Sequence, residues 1–155
     1  MSRKDTYDDI DLLLKDLKSD IEDVLLDEVL DEVKAIELKH VEKDVFSVYS
    51  PKIYERRRSE GIDDPDNIVA EVRNMQLEVD NITMFNNGYG TYNKGIGLVD
   101  LINDGNSRKG YFYDYPGSFE QPRPFIDNTI EEVEKTRSVE DALAKGLIKR
   151  RYDVI

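Results

Sequence analysis

The sequence has no cysteine and no tryptophan, and it has one histidine among 155 residues. Without cysteine the chain cannot form disulfides, thiolate zinc sites or cysteine nucleophiles. One histidine is too few for a histidine-based metal site. No apolar run approaches the roughly 20 residues of a membrane span, and the N-terminus has no apolar signal segment. We therefore expect a protein that is neither exported nor bound to a membrane.

Basic residues are scarce relative to acidic ones. The chain has 22 Lys and Arg against 34 Asp and Glu, which gives a net charge of −12. Such a surface repels DNA phosphate and anionic lipid, so sequence-independent DNA binding is not expected. Two kinds of acidic protein remain. One stays near DNA without binding it. The other mimics DNA and competes with it for the basic cleft of a DNA-binding protein.

The length and composition predict a single domain over residues 1–155 with a modest core. The apolar fraction is 39% and the charged fraction is 36%. A chain of this kind is expected to have one compact part and at least one element that projects from it or packs against a partner.

A long N-terminal helix is predicted over residues 7–42. Thr6 followed by Asp9 resembles a capping box, and no Pro or Gly interrupts the segment. Its apolar residues recur at three- and four-residue steps: Ile10, Leu13, Leu14, Leu17, Ile21, Val24, Leu25, Val29, Val33 and Ile36. This face is broader than a coiled-coil seam and is typical of a helix with two neighbours, or with one neighbour and a partner chain. The opposite face carries Asp residues and is interpreted as a solvated surface.

The rest of the chain predicts strands and shorter helices. Alternating apolar residues indicate a β-hairpin in region 67–85 that turns near Asn74. Residues 86–97 are predicted to be a flexible loop, and the apolar segment Leu98–Ile102 could be helix or strand. Two C-terminal helices are predicted within residues 125–150, with Asn128 as a candidate cap. The expected fold is α+β, with the long N-terminal helix and the C-terminal helices packed on a small antiparallel sheet.

The sequence does not match the catalytic and nucleotide-binding motifs that its glycines and its histidine bring to mind. Gly88 and Gly90 begin a dinucleotide pattern, but Asn93 stands at its third glycine, and Ile96 stands where a phosphate loop needs lysine. His40 is interpreted as a surface or helix-end histidine. No carboxylate pair is marked as buried, which acid–base catalysis would need. We expect no enzymatic activity, no cofactor and no metal. A metal-dependent carboxylate enzyme is a third hypothesis, for which the sequence offers no constellation.

Two basic clusters stand out. Arg56, Arg57 and Arg58 could pair with the chain's own acidic helix or form a docking patch for an acidic neighbouring subunit. The C-terminal cluster Lys149–Arg151 could complement a helix dipole.

Three segments, in order, resemble the minor neck, or tail-completion, proteins of long-tailed bacteriophages. They are Val48–Arg57, with a Tyr followed by Arg; Leu98–Gly105; and Pro122–Ile126, similar to the family's Arg-Pro-Phe-Leu element. In the third, Pro124 pre-sets a helix start and Phe125 can anchor that helix on the sheet. The resemblance spans roughly residues 8 to 137, and the family carries no catalytic residues to transfer.

The resemblance implies a structural virion protein at the head–tail junction, assembled in the host bacterial cytoplasm. Copies would form a ring that joins the DNA-filled head to the tail, so that DNA passes through without specific binding. The implied partners are the protein itself, a head-side connector or portal-complex protein, and a tail terminator or tail-tube protein. The alternative is an acidic inhibitor, or DNA mimic, of a basic host enzyme. The candidate interface residues are Tyr54, Arg56, Arg57, Arg58, Tyr89, Tyr92, Arg123 and Phe125.

Overall fold

A continuous helical segment forms the axis of the molecule. In this computed structural model, which describes residues 9–48, 60–84, 97–105, 121–150 and 152, it has four parts. They are α1 (Ile10–Val24), a first π-helical turn (Leu25–Val29), α2 (Leu30–His40) and a second π-helical turn (Val41–Phe46). We call this segment the long helix. It extends beyond the predicted end at residue 42.

The long helix begins at a side-chain cap. The carboxylate of Asp9 accepts a hydrogen bond of 2.9 Å from the backbone N–H of Asp11, as N-cap residues do. Asp9 is therefore the cap itself. The predicted cap, Thr6, lies outside the described residues.

The predicted β-hairpin is present. Strands β1 (Ile68–Arg73) and β2 (Gln76–Asn81) are antiparallel, with Arg73 opposite Gln76. The two turn residues, Asn74 and Met75, have φ angles of 52° and 62°. Two consecutive positive φ angles define the tight turn whose twist matches that of the strands.

The segment that could have been helix or strand is a helix, α3 (Leu98–Asp104). It ends at Gly105, whose φ is +68°, a conformation that favours glycine. A Cβ at Gly105 would lie 2.7 Å from the backbone nitrogen of Pro122. The glycine therefore lets the chain before the next helix pass close to the end of α3.

Helices α4 (Phe125–Lys135) and α5 (Ser138–Lys149) run antiparallel to the long helix. Helix α4 packs on α2 and the second π-helical turn, while α5 packs on α1 and the first π-helical turn. The β-hairpin also contacts the first π-helical turn. The α+β fold is thus confirmed. The main support of the C-terminal helices is the long helix, and the sheet reaches the α5 cluster through Leu77.

Two apolar clusters form the core of the part of the chain that the structure describes. The first joins the end of the long helix to α3 and α4, and its buried members are Val41, Val45, Ile62, Leu98, Leu101, Ile102 and Phe125. The second joins the long helix to α5 and contains Val24, Val29 and Ala142, with partly buried Val33, Leu77, Leu143 and Leu147 around them. Burying these side chains stabilises the antiparallel arrangement of the three helices.

A buried hydrogen bond between two side chains links the long helix to the hairpin. The side-chain amide of Asn81 donates to Oε1 of Glu37 at 2.7 Å, and Asn81 Oδ1 accepts from the backbone N–H of Thr83 at 3.1 Å. Glu37 is only 4% exposed. Burial raises the pKa of Glu37, the Asn81 hydrogen bond opposes that effect, and nearby Asp80 adds to it.

Candidate interaction surface

An open cleft of about 480 Å³ lies between the end of the long helix and the start of α4. Its lining residues are Asp44, Val48, Gln121, Pro122, Arg123, Pro124 and Asn128. We call it the α4 cleft. It contains Arg123, one of the residues that the sequence predicted at an interface, so it is the first candidate contact surface.

The wall of the α4 cleft is fixed by backbone hydrogen bonds. The N–H of Arg123 donates to the carbonyl of Ile102 at 2.9 Å, and the N–H of Phe125 donates to the carbonyl of Arg123 at 2.7 Å. With φ −77° and ψ 57°, Pro124 is the centre of an inverse γ-turn. This turn holds Arg123 beside the cleft and directs the next residue into the core.

The start of α4 is capped from a neighbouring helix. The side-chain oxygen of Asn103, on α3, accepts from the backbone N–H of Ile126 at 3.0 Å. The prediction that Asn128 caps α4 was wrong, because the residue at the cap position is Pro124 and it makes no side-chain cap bond. The Asn128 amide instead donates to Asp44 at 2.9 Å.

A polar cluster beside the cleft joins α2 and the second π-helical turn to α4, and two of its members, Asp44 and Asn128, line the cleft. His40 Nδ1 lies 2.8 Å from Oδ2 of Asp44, and His40 Nε2 lies 2.9 Å from Oε2 of Glu132. Lys39 donates to both oxygens of Glu132, at 2.6 and 2.8 Å. We call His40, Asp44, Asn128 and Glu132 the His40 cluster.

The surroundings of the two carboxylates favour their charged forms. Burial works to raise the pKa of Asp44, but hydrogen bonds from Asn128 and His40 outweigh it, and the pKa lies below its usual value. The Lys39 hydrogen bond, with help from His40, likewise lowers the pKa of Glu132 against a smaller opposing effect of desolvation. Both changes follow from donors aimed at a carboxylate.

His40 is the last residue of α2, as one form of the prediction had it, but it is 4% exposed, so the prediction of a surface histidine was wrong. Its burial results from the packing of α4 across α2. Both ring nitrogens face carboxylates, so neither nitrogen is directed towards the open cleft. This arrangement favours a role in holding two helices together over a role as a general base.

Two predicted interface residues that lie two positions apart in the sequence have different environments in the structure. Arg123 is half-buried and lines the α4 cleft. Phe125 is fully buried in the first core cluster, so its assignment to an interface is corrected. It anchors α4 on the long helix and α3, rather than on the sheet as expected. The remaining candidates lie outside the described residues: Tyr54, Arg56, Arg57, Arg58, Tyr89 and Tyr92.

A second candidate surface is the N-terminal end of the long helix. Ile10 is 73% exposed, Leu12 51%, Leu13 37% and Leu14 54%. Large apolar side chains that are exposed together mark interaction sites. The sequence predicted either two neighbouring elements or one neighbour and a partner chain for this helix, and this group of residues is left exposed at its N-terminal end.

The acidic face of the long helix is partly neutralised within the chain. Lys149 and Arg150 donate to the two oxygens of Glu28, at 3.1 and 3.2 Å, and Arg150 also donates to Asp27 at 3.0 Å. The sequence suggested only a helix-dipole role for these basic residues. Their ion pairs instead fix the end of α5 against the long helix.

Sequence reasoning missed Glu37, Asn81 and Asn103. Nothing in the local pattern marks them, because their partners lie on other elements. The four-residue spacing of His40 and Asp44 was a usable signal, since residues so spaced meet on a helix.

Within the described ranges, no group of three or more His, Cys, Asp or Glu could hold a metal ion. No helix in those ranges is long and apolar enough to cross a bilayer.

The comparison with protein-family models identifies one family. The model of the YomN family matches residues 9–149, nearly the whole chain. The chain belongs to the YomN family. YomN is a Bacillus phage-derived protein family, which supports the phage origin that the neck-protein resemblance implied. The match covers the long helix, the hairpin and all of α3, α4 and α5. No curated protein and no solved structure matches the chain.

Proposed function

We propose that this YomN protein is a structural subunit of a phage virion at the head–tail junction. Copies of it form a ring that joins the DNA-filled head to the tail. On one side the ring contacts a head-side connector or portal-complex protein, and on the other a tail terminator or tail-tube protein. The protein acts by binding neighbours and catalyses no reaction.

The exposed apolar end of the long helix is the observation that carries this proposal. A subunit that functions alone gains nothing from Leu12, Leu13 and Leu14 in water, whereas a subunit of an assembly buries them. Family membership supplies the phage context. The resemblance of Pro122–Ile126 to a neck-protein element supports the position in the virion, and the α4 cleft gives that element an open surface.

The net charge of −12 suits a ring around DNA. A lumen that repels phosphate lets the duplex slide instead of binding it. The same charge is compatible with the alternative function, an acidic inhibitor of a basic host enzyme, so charge alone does not separate the two hypotheses.

The decisive experiment deletes the gene from the phage and supplies it again on a plasmid. We expect the deletion to abolish infectivity and to leave filled heads and separate tails in electron micrographs, with wild-type protein restoring whole virions. Leu14→Glu should fail to restore them, and Lys145→Ala, an exposed change on α5, should succeed. Normal infectious virions without the protein would refute the proposal. Absence of the protein from purified virions, together with its capture on a basic host nuclease, would favour the inhibitor hypothesis.

A further inference from the structure

The apolar side chains at the start of the long helix include a regular stripe. Ile10, Leu14, Leu17, Ile21 and Val24 follow one another at alternating steps of four and three residues. This spacing places them along one side of a helix and is the spacing of a two-helix seam. The stripe lies within the broader apolar face and continues along α1 to its last residue.

Only the C-terminal half of the stripe is covered. Val24 is fully buried and packs in the cluster that includes Ala142, Leu143 and Leu147. The hydroxyl of Tyr152 donates to Asp20 at 2.6 Å, near the level where this cover ends. Further towards the N-terminus, Leu14 is 54% and Ile10 73% exposed. The side that α5 covers at Val24 is therefore the side left open at Ile10.

The charged residues that flank the exposed part of the stripe indicate which partner binds there. Asp11 and Lys18 are seven residues apart, so they lie on the same flank of the stripe. Both are exposed, and the contact of Lys18 with Glu22 is a long one of 3.8 Å. If a second copy of α1 packs antiparallel across the stripe, Asp11 of each copy faces Lys18 of the other. A parallel pair offers neither of these two contacts.

We propose that the stripe Ile10–Leu17 is a self-association surface on which a second copy of this chain packs, with its α1 antiparallel. Such a pair is two-fold symmetric, so it joins two copies or two rings and does not itself close a ring whose two sides bind different partners. The pairing therefore does not depend on the proposed function. Ile10, Leu13 and Leu14 are 73%, 37% and 54% exposed, so they form a small group of apolar side chains that a second copy can cover. With its polar flanks, such an interface lies at the low end of specific complexes, so the association is expected to be roughly micromolar.

The first test measures sedimentation of the purified full chain over a range of concentrations. We expect a concentration-dependent dimer, or a larger assembly built from dimers. Leu14→Glu should raise the dissociation constant at least about tenfold, as loss of a central interface residue does. Leu26→Glu is the matched control, because Leu26 is also exposed on the long helix, at 41%, but lies off the stripe. It should leave the dissociation constant unchanged.

The second test reverses the flanking charges. Asp11→Lys and Lys18→Asp should each weaken association several-fold, and the double variant should restore it without changing the net charge of the wild type. These are exposed side chains, so at concentrations below the dissociation constant all three variants should unfold close to the temperature of the wild type. A double variant that is weaker than either single one would refute the antiparallel arrangement.

The absence of cysteine allows a third, direct test. Oxidation of a mixture of Leu14→Cys and Leu17→Cys chains should give mainly the mixed disulfide, since antiparallel packing brings position 14 of one copy to position 17 of the other. A predominance of 14–14 disulfides would indicate parallel packing and overturn the proposal. A monomer at all concentrations would also overturn it. A dimer in a protein whose deletion leaves virions normal would instead refute only the head–tail function.

Discussion

Gly146 of α5 lies directly against Val24 of the long helix. A Cβ at position 146 would overlap Cγ1 of Val24 and would lie 2.8 Å from Oε2 of Glu28. Gly146 and Val24 are both buried. The absence of a side chain at Gly146 therefore sets how closely the two helices approach, and it places α5 where Lys149 and Arg150 reach Glu28.

Gly146→Ala is expected to destabilise the protein by about 1–3 kcal/mol, the usual cost of adding a methyl group to a close-packed contact. The higher helix propensity of alanine opposes this loss by only about 1 kcal/mol. Chemical denaturation measures the change. Lys145→Ala, at the neighbouring exposed position, should alter stability by less than about 0.5 kcal/mol. A Gly146→Ala protein as stable as the wild type would show that the helices do not pack this closely.

Removal of the His40 ring should be costly, because the ring bridges the carboxylates of Asp44 and Glu132 through its two nitrogens. We expect His40→Ala to lower the free energy of unfolding by about 2–4 kcal/mol, since a buried polar group loses its partner and a cavity is created. Lys39→Ala removes an exposed ion pair to the same Glu132 and should cost less than about 1 kcal/mol. Equal effects of the two changes would contradict a structural role for the His40 cluster.

The His40 cluster should make the protein sensitive to acid. The pKa values of Asp44 and Glu132 are lowered by folding, so their stabilising contribution is present above the unfolded-state pKa values of about 4. It is lost as the pH falls through the lower, folded-state values. Urea unfolding between about pH 5 and pH 2 should show this decline. Asp44→Asn should be less stable at neutral pH and should decline less steeply, and a slope equal to that of the wild type would contradict the prediction.

Glu37 should have the opposite effect. Its pKa is raised by burial, so the folded state favours the neutral acid and loses stability as the pH rises above the unfolded-state pKa. Glu37→Gln keeps an oxygen for the Asn81 amide and removes the buried charge. We expect the variant to match the wild type near pH 4 and to exceed its stability near pH 7. Thermal unfolding at both pH values tests this, and a Gln variant less stable at neutral pH would refute it.

A substitution in the turn of the hairpin should increase the stability of the protein. Met75 adopts a φ of 62° and is 49% exposed, while glycine is the preferred residue at this position. Met75→Gly should raise the free energy of unfolding by up to about 1 kcal/mol, because a side chain in this conformation is strained. Met75→Ala is the control for loss of the side chain and should give no gain. Destabilisation by Met75→Gly would mean that the Met75 side chain makes contacts that outweigh the strain.

Local patterns in the sequence were enough to predict the main secondary-structure elements of this protein. Periodic leucines and the absence of Pro and Gly from residues 7–42 specified the long helix, because helix formation depends on neighbours three and four residues away. Alternating residues around Asn74 specified the hairpin in the same way. The phage resemblance was also readable from the sequence, and family membership supports it.

Which residues are buried, and what they contact, depends instead on how the helices pack together. His40 was expected at the surface and Phe125 at an interface, yet both are buried where α4 crosses the long helix. Arg150 was expected to complement a dipole, yet it pairs with Glu28, 122 positions away. These contacts depend on the direction and closeness with which α4 and α5 pack on the long helix. That geometry is set by how residues far apart in the sequence fit together, such as Gly146 against Val24. Local sequence patterns do not encode this fit.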